Sequence, residues 1–542
     1  MLKNIIILDN YRIKNLIKLI FTATLLYFLF LFLIQKIEID TFFNLILLFF
    51  INYSLLYIYF NSQKETNYIP IYPQIIFYYL VTYSCYFYFY EYEAKVAYVE
   101  IETDLLQKFV LIYSCGLISF TIGYFLMNFF NYKNEINIFY KINRYDYFLV
   151  FLFLMVIIIY YINYPNKFFS ISVLNQLKQP LILFIVGFLQ IKYLESNNKL
   201  LLYLNIFITS ILFLIEISFG SIVFPFLMVA LILSLNYYKL RKINLLTIFV
   251  VVLAITFVHG NKYEIREKTG WFLTTSEEYA VVDNIIKSTH VLAVSMSSEY
   301  SKKNKRTNIL NEIKSLEKIL LLEKNTLEKK NEQLEKNEQL EKILLLEQNI
   351  LSVKLKYDNI KPVMSEKNLL WHGVRLFHSN HTLRVVLDKT PNSINFTHGN
   401  SYKAIPYQII PRFLNPNKKQ ELWGNYWGKR YQVLNEFDTV TSWNFPVLTE
   451  FYANFGLKGV CIGMFIVGLI LKLIMMFLYF NPRNSIEFVA IYVIISNFFF
   501  QESNLSQITG GAINQLLFFS VILITFLLSS SLIKKLFQFR NA

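Results

Sequence analysis

The fold class this sequence predicts is an all-α polytopic membrane protein, and three observations predict it. Only 16% of the 542 residues are charged and 55% are hydrophobic, against about 25% charged in an ordinary soluble domain. The apolar residues gather into runs of the roughly 20 residues that carry a helix across a ~30 Å hydrocarbon core. The lysines and arginines between those runs alternate in density, as repeated threading of a bilayer requires. The same composition excludes disordered, collagen-like and disulfide-rich secreted classes. Cys85, Cys115 and Cys461 lie inside apolar runs, where they read as small buried hydrophobes and not as redox or metal groups.

The individual spans are expected at 18–34, 41–60, 71–90, 109–130 and 147–162, then at 200–218, 221–238 and 243–259. Three more follow a large loop, at 457–480, 485–500 and 512–533, and 181–194 is shorter and weaker, which makes about twelve. With the N-terminus placed in the cytoplasm, inner segments collect seventeen Lys and Arg and short outer loops only five. Acids such as Glu38, Asp40, Glu91, Glu93 and Asp104 fall outside. Dropping the weak sixth span would scramble this alternation, so the bias argues for it, and both termini are expected in the cytoplasm. Much of the net charge of +15 is therefore topological and needs no nucleic acid. The first apolar segment has a basic flank but no small-residue cleavage pattern, and reads as a retained helix. The chain divides into membrane helices 1–9 (residues 1–259), an extracytoplasmic loop (260–446), and helices 10–12 with a cytoplasmic C-terminus (447–542).

The loop has two parts. Residues 302–357 are rich in Glu, Lys, Asn, Gln and Leu, and Glu317-Lys318-Ile319-Leu320-Leu321-Leu322-Glu323 recurs as Glu341-Lys342-Ile343-Leu344-Leu345-Leu346-Glu347. Ile313, Leu316, Leu320, Leu327 and Leu334 keep helical or heptad spacing. This reads as a charged, coiled-coil-like helical insertion, about 80 Å long if straight, serving as a spacer or oligomerisation arm. Residues 366–446 hold ten Lys and Arg against five Asp and Glu, interleaved with Trp371, Trp423, Trp427 and Trp443. Positive charge outside runs against the topology bias. An anionic ligand at the membrane surface accounts for it, as does a solvated basic surface; arginine's planar fork suits phosphate oxygens.

Two stretches carry a family resemblance. Gly399-Asn400-Ser401-Tyr402 is followed by Ile410-Pro411-Arg412-Phe413-Leu414-Asn415-Pro416-Asn417-Lys418. Downstream come Glu450 and Tyr452-Ala453-Asn454-Phe455-Gly456-Leu457-Lys458-Gly459. Both resemble motifs of bacterial O-antigen and exopolysaccharide repeat-unit polymerases of the Wzy type, as does one large outward loop late in a polytopic chain. The detailed likeness covers only about 399–460. The Gly-Ser-Arg turn frequent in that family appears here as Ser218-Phe219-Gly220-Ser221-Ile222, without its arginine, and the helical insertion lies outside the pattern.

The resemblance implies a GT-C-like membrane glycosyltransferase at the outer face of the bacterial cytoplasmic (inner) membrane. Such an enzyme joins polyprenyl-pyrophosphate-linked oligosaccharide repeat units into O-antigen, capsule or exopolysaccharide. It needs no cofactor or metal; its donor and acceptor are carrier-linked glycans, and a chain-length regulator and a flippase are its expected partners. Cations must stabilise the departing pyrophosphate; Arg412, pre-oriented by Pro411, and Arg375 fill that role, with Lys418 and His378 next. The acceptor hydroxyl must lose a proton to a base, for which Glu450 comes first and Asp438 second. Tyr402, Tyr452 and Asn454, inside the motifs, join the substrate-binding set. Each has a plainer reading: loop hydrogen bonding for Arg412, surface charge for Arg375, a helix-dipole partner for Glu450, and a structural turn for Asn454-Phe455-Gly456. His378 and His381 share a helix face at most and make too few ligands for zinc. Glu216 is an ionisable group at membrane depth and a candidate on that ground.

Three other functions compete. An O-antigen ligase shares scaffold and donor but transfers finished polymer. A transporter or flippase usually shows inverted repeats and polar midplane sites, and neither is evident. A non-catalytic scaffold would depend on the 302–357 arm and not on Arg412.

Overall fold

The computed structural model describes residues 7–8, 10–34, 37–62, 71–89, 103–129, 154, 172–218, 223–240, 243–244, 347, 378–411, 414–415, 418, 421–439, 441–477 and 503–539. Helices dominate: α1 (Asn10–Leu33), α2 (Ile39–Asn61), α3 (Ile71–Tyr79), α4 (Thr103–Leu126), α5 (Ser172–Ser196), α6 (Lys199–Ser218) and α7 (Val223–Leu240). The later part supplies α8 (His378–Lys389), α9 (Ile405–Ile409), α10 (Trp423–Arg430), α11 (Val447–Phe477) and α12 (Leu505–Phe539). Strand structure among the described residues is one antiparallel two-residue ladder, β1 (Ile7–Leu8) with β2 (Ile243–Asn244), pairing the segment before α1 with that after α7.

Among the described residues, four helices are long and apolar enough to cross a membrane: Asn10–Leu33, Ile39–Asn61, Thr103–Phe129 and Val447–Met476. With the apolar stretches around them they make this an integral membrane protein. Expected spans and observed helices agree where both are described, and the differences have physical causes. The weak stretch at 181–194 lies within a helix of 25 residues, α5. Its Gln190 lowers the hydropathy yet is buried, donating to Asn236 Oδ1 at 2.6 Å and accepting from Asn205 Nδ2 at 2.8 Å, so an amide ladder joins α5, α6 and α7. The third span continues from α3 as a π-helical turn (Leu80–Ser84) and a 3-10 turn (Cys85–Phe89). The last two helices start earlier than hydropathy indicates, at Val447 and Leu505, because polar first turns lead into them. Apart from single residues, the expected spans 147–162 and 485–500, most of 243–259 and the 302–357 insertion lie outside the described residues.

The core is aromatic. Tyr72 stacks between Tyr59 and Phe120 with centroids 5.6 and 5.8 Å away, tying α2, α3 and α4 together. Polar groups at this depth find partners across helices: Tyr113 donates to Asn52 Oδ1 at 2.7 Å, and Asn52 donates to Ser84 Oγ at 3.1 Å. Asp40 and Asp104 sit in the first turns of α2 and α4, where the helix dipole favours a carboxylate.

The pair α4–α11 is the axis of the molecule. The two helices run side by side in the same direction, with Gly116 against Leu448 and Val460, Gly123 against Phe465, and Gly468 against Phe120. A Cβ on Gly123 would stand 2.1 Å from the Phe465 carbonyl oxygen, and one on Gly468 would stand 2.1 Å from that of Phe120. Backbone therefore touches backbone, which only glycine permits and which dispersion packing in lipid rewards. Further along, the buried Lys472 ammonium sits 4.6 Å from the centre of the Tyr124 ring. At the other end α11 is broken at Gly456, whose φ of 64° and ψ of −151° suit glycine alone. The Phe396 ring lies 3.1 Å from where a Cβ would be, so the break is also a contact.

Candidate active site

Residues 378–446 and the first turns of α11 and α12 build a polar cluster at the end where α4 and α11 begin. Asn454 is its staple. Its Oδ1 accepts from Thr397 Oγ1 at 2.8 Å and from the Gly399 N–H at 2.9 Å. Its Nδ2 donates to Ser401 Oγ at 3.0 Å and to the Glu450 carbonyl at 2.9 Å. The side-chain amide has no bonding capacity left over, so Asn454 positions the Gly399–Tyr402 motif on α11. Gly399 serves the same turn with a φ of 81° and the Phe455 ring beside it.

Glu450, one turn before Asn454, is fully buried. Its Oε2 accepts the Leu505 N–H at 2.6 Å, supplying an acceptor to the first turn of α12, whose amides have none within the helix. Its Oε1 is buried without a hydrogen-bond partner. Beside it stands Tyr402, whose hydroxyl is likewise buried and unpartnered. Burial, with the Glu450 carboxylate adding to it, pushes the Tyr402 phenol well above its usual range, so it stays protonated.

A second carboxylate meets the same helix end. Glu421 Oε1 accepts from Asn504 Nδ2 at 3.3 Å and Ser506 Oγ at 3.1 Å, and its Oε2 accepts from Gln507 Nε2. Asn504 is the N-cap of α12 and also receives the Phe445 N–H at 2.9 Å. Two carboxylates from separate segments thus meet at one helix N-terminus, and burial, with Glu421 adding to it, raises the Glu450 carboxyl to about 7 against the opposing Leu505 N–H bond. Glu421 enters the sequence reading only as one acid in a charge tally. The available signal is Asn504 as a capping residue ahead of the last apolar run, which places the helix start seven residues upstream of the hydropathy boundary.

The other site residues are distributed as follows. Lys418 Nζ donates to the carbonyls of Gln408 and Ile410, each at 2.8 Å, and so fixes the chain just before Pro411. The Pro411 carbonyl accepts from the Leu414 and Asn415 amides at 3.0 and 3.2 Å. Helix α9, just before Pro411, packs on α12 at Gly510, where a Cβ would meet the Gln408 carbonyl at 2.7 Å. Arg412 and Arg375 themselves lie outside the described residues, as does the side chain of His378, which starts α8. The side chain of Glu216, on α6, lies outside them too. Tyr452 points to a different neighbourhood, donating to the Thr390 carbonyl at 3.3 Å. Asp438 is held in a loop away from the cluster, its Oδ1 accepting the Thr441 N–H at 2.8 Å and its carbonyl accepting Asn425 Nδ2 at 2.9 Å.

Three of the interleaved tryptophans, Trp423, Trp427 and Trp443, form a core for this layer, and Trp371 lies outside the described residues. Trp427 is fully buried and stacks on Phe445 at 4.6 Å, with Trp423, Tyr431 and Trp443 around them. Burial pushes the Tyr431 phenol up to about 12, and it shares a 2.7 Å hydrogen bond with Thr390. Helix α8 closes the layer over the third span: Asn380 donates to the Tyr83 carbonyl at 2.6 Å, and the buried Arg384 guanidinium lies 4.9 Å from the Tyr86 ring centre.

Comparison with known families matches residues 377–537 to the family described as O-antigen polysaccharide polymerase Wzy. Searches of curated proteins and of solved structures each find no match. The matched segment covers just under a third of the chain. It begins one residue before α8 and ends inside the last turn of α12, so it holds Ser401, Tyr402, Glu421, Glu450, Asn454 and Asn504 together. The motifs around Pro411-Arg412 and Asn454-Phe455-Gly456 point the same way: over residues 377–537 this chain is similar to the O-antigen polysaccharide polymerase Wzy family.

Proposed function

We propose that the chain polymerises polyprenyl-pyrophosphate-linked oligosaccharide repeat units at the outer face of the bacterial inner membrane. The observation that carries this reading is Glu450: a fully buried carboxylate inside the segment matched to the Wzy family, anchored through one oxygen and unpartnered at the other. In this reading about twelve spans form a GT-C-like scaffold. Residues 260–446 face outward, residues 302–357 are a spacer arm, and both termini are cytoplasmic. The parallel course of α4 and α11 fits that threading, since each would enter the membrane from outside.

The reaction follows from what each group can do. An acceptor sugar hydroxyl attacks the anomeric carbon of the donor glycan, a C–O bond forms, and the bond to the carrier pyrophosphate breaks. Glu450 Oε1 takes the hydroxyl proton, and Tyr402, held protonated, donates a hydrogen bond beside it. Arg412 and Arg375 neutralise the charge building on the pyrophosphate, a contribution realised in the transition state more than in the ground state. Lys418 acts on that step by fixing the chain at Gln408 and Ile410, ahead of Pro411. Asn454 holds the Gly399–Tyr402 motif on α11, and a chain-length regulator and a flippase act with the enzyme in the cell.

The test is a glycan-length analysis of a deletion strain complemented with wild type, Glu450→Gln or Arg412→Ala. Single repeat units on the lipid acceptor are expected from both variants at wild-type protein levels. Full-length polymer from Glu450→Gln would overturn the assignment of the base. Long carrier-linked chains accumulating in the deletion strain would identify a ligase instead.

A further inference from the structure

Glu421 belongs to none of the motifs and takes no direct part in the chemistry above. Yet its carboxylate accepts three hydrogen bonds, holding Asn504, Ser506 and Gln507 at once. Those three residues flank Leu505, whose N–H is the backbone donor to the Glu450 carboxylate at 2.6 Å. A carboxylate is aimed only as firmly as that donor is held. Glu421 makes it immobile, because the side chains on either side of Leu505 are tied to the loop ahead of α10. The consequence falls on Glu450 Oε1, which is fully buried, has no protein partner and therefore points at whatever the site receives.

We infer that Glu421 is a positioning residue: through Asn504, Ser506 and Gln507 it fixes the Leu505 amide and thereby aims Glu450 Oε1 at the acceptor hydroxyl. The inference rests on the polymerase reading and adds a requirement to it, that the proton acceptor is aligned by a carboxylate contributed from a separate loop. Misplacing a reacting group by about 1 Å costs on the order of 100-fold in rate. Loss of the Glu421 ties therefore acts on turnover and not on substrate affinity.

The experiment uses the full chain reconstituted in vesicles, with lipid-linked repeat unit extracted from the polymerase-deletion strain as the probe. Glu421→Ala is expected to lower kcat per folded enzyme by roughly 10- to 100-fold, with KM within about twofold of wild type; the three lost hydrogen bonds also lower the melting temperature, so rates are referred to folded protein. Glu421→Gln should recover part of that loss, since its amide oxygen still accepts from Asn504 and Ser506. In a Glu450→Gln background Glu421→Ala should add nothing, because the group being aimed is gone. Unchanged kcat in Glu421→Ala would overturn the inference. So would a loss that tracks the amount of folded protein, or one that deepens the Glu450→Gln defect. An inactive Glu450→Gln beside a fully active Glu421→Ala would sink only this inference, whereas an active Glu450→Gln would remove the proton acceptor itself.

Discussion

Asn454 and Gly399, 55 residues apart, are joined by a 2.9 Å hydrogen bond from the Gly399 N–H to the Asn454 side-chain oxygen. With the bonds to Thr397, Ser401 and the Glu450 carbonyl, it fastens one sequence motif onto the other. Asn454→Ala removes four bonds at about 1 kcal/mol each, so a loss of about 2–4 kcal/mol in stability and of polymer formation is expected. Asn454→Asp has the same shape but sets a carboxylate oxygen against the Glu450 carbonyl, and should do no better. Thermal melting of the detergent-purified variants checks both.

The α4–α11 contact makes a second prediction. Neither Gly123 nor Gly468 has room for a methyl group, because a backbone carbonyl occupies the place. Gly123→Ala and Gly468→Ala are each expected to cost about 1–3 kcal/mol, the usual penalty for overpacking. Gly511→Ala, where nothing lies within 4 Å, is the matched control and should be neutral. Comparison of melting temperatures and of membrane-inserted yield separates the three.

Much of this arrangement is legible in the sequence, and the limits are instructive. Hydropathy finds α2 to within two residues at each end, and finds α1 and α4 but starts them eight and six residues late, because their first turns carry the polar residues Asn10, Arg12, Lys14, Asp104 and Lys108. It underrates α5, since Gln190 looks costly until Asn205 and Asn236 appear as partners. Glu450, Tyr402 and Asn454 emerge from motif spacing and do converge. Glu421 does not emerge, because its role depends on a helix start more than 80 residues later, and nothing local in the chain announces that contact.

The charge requirement is tested at positions 412 and 375. Arg412→Ala and Arg375→Ala are each expected to lower polymerisation by about 10²–10³-fold, the scale for removing a preorganised charge partner of a transition state. Arg412→Lys should retain part of the activity as a point charge without the bidentate fork. Turnover of extracted lipid-linked repeat unit is the measurement; wild-type rates from both alanine variants would remove the cations from the mechanism.

The repeat-rich insertion gives the opposite expectation. Deleting residues 302–357 and closing the gap with a short flexible linker should leave the polymer made and its linkage unchanged. The observable is the surface glycan ladder of a complemented strain. Loss of all polymer at normal protein abundance would make the arm a required element.

The glycine-lined seam between α4 and α11 separates ancestry from architecture. The segment that carries the family's signature starts at 377, while the helix it leans on was threaded into the bilayer some 250 residues earlier. A fragment trimmed to the matched region would keep both carboxylates yet leave Gly468 and the Phe465 carbonyl without the helix they pack against. Minimal versions of this enzyme must therefore keep the fourth helix as a keel, and a split protein should regain function only when the piece bearing that helix is supplied in trans.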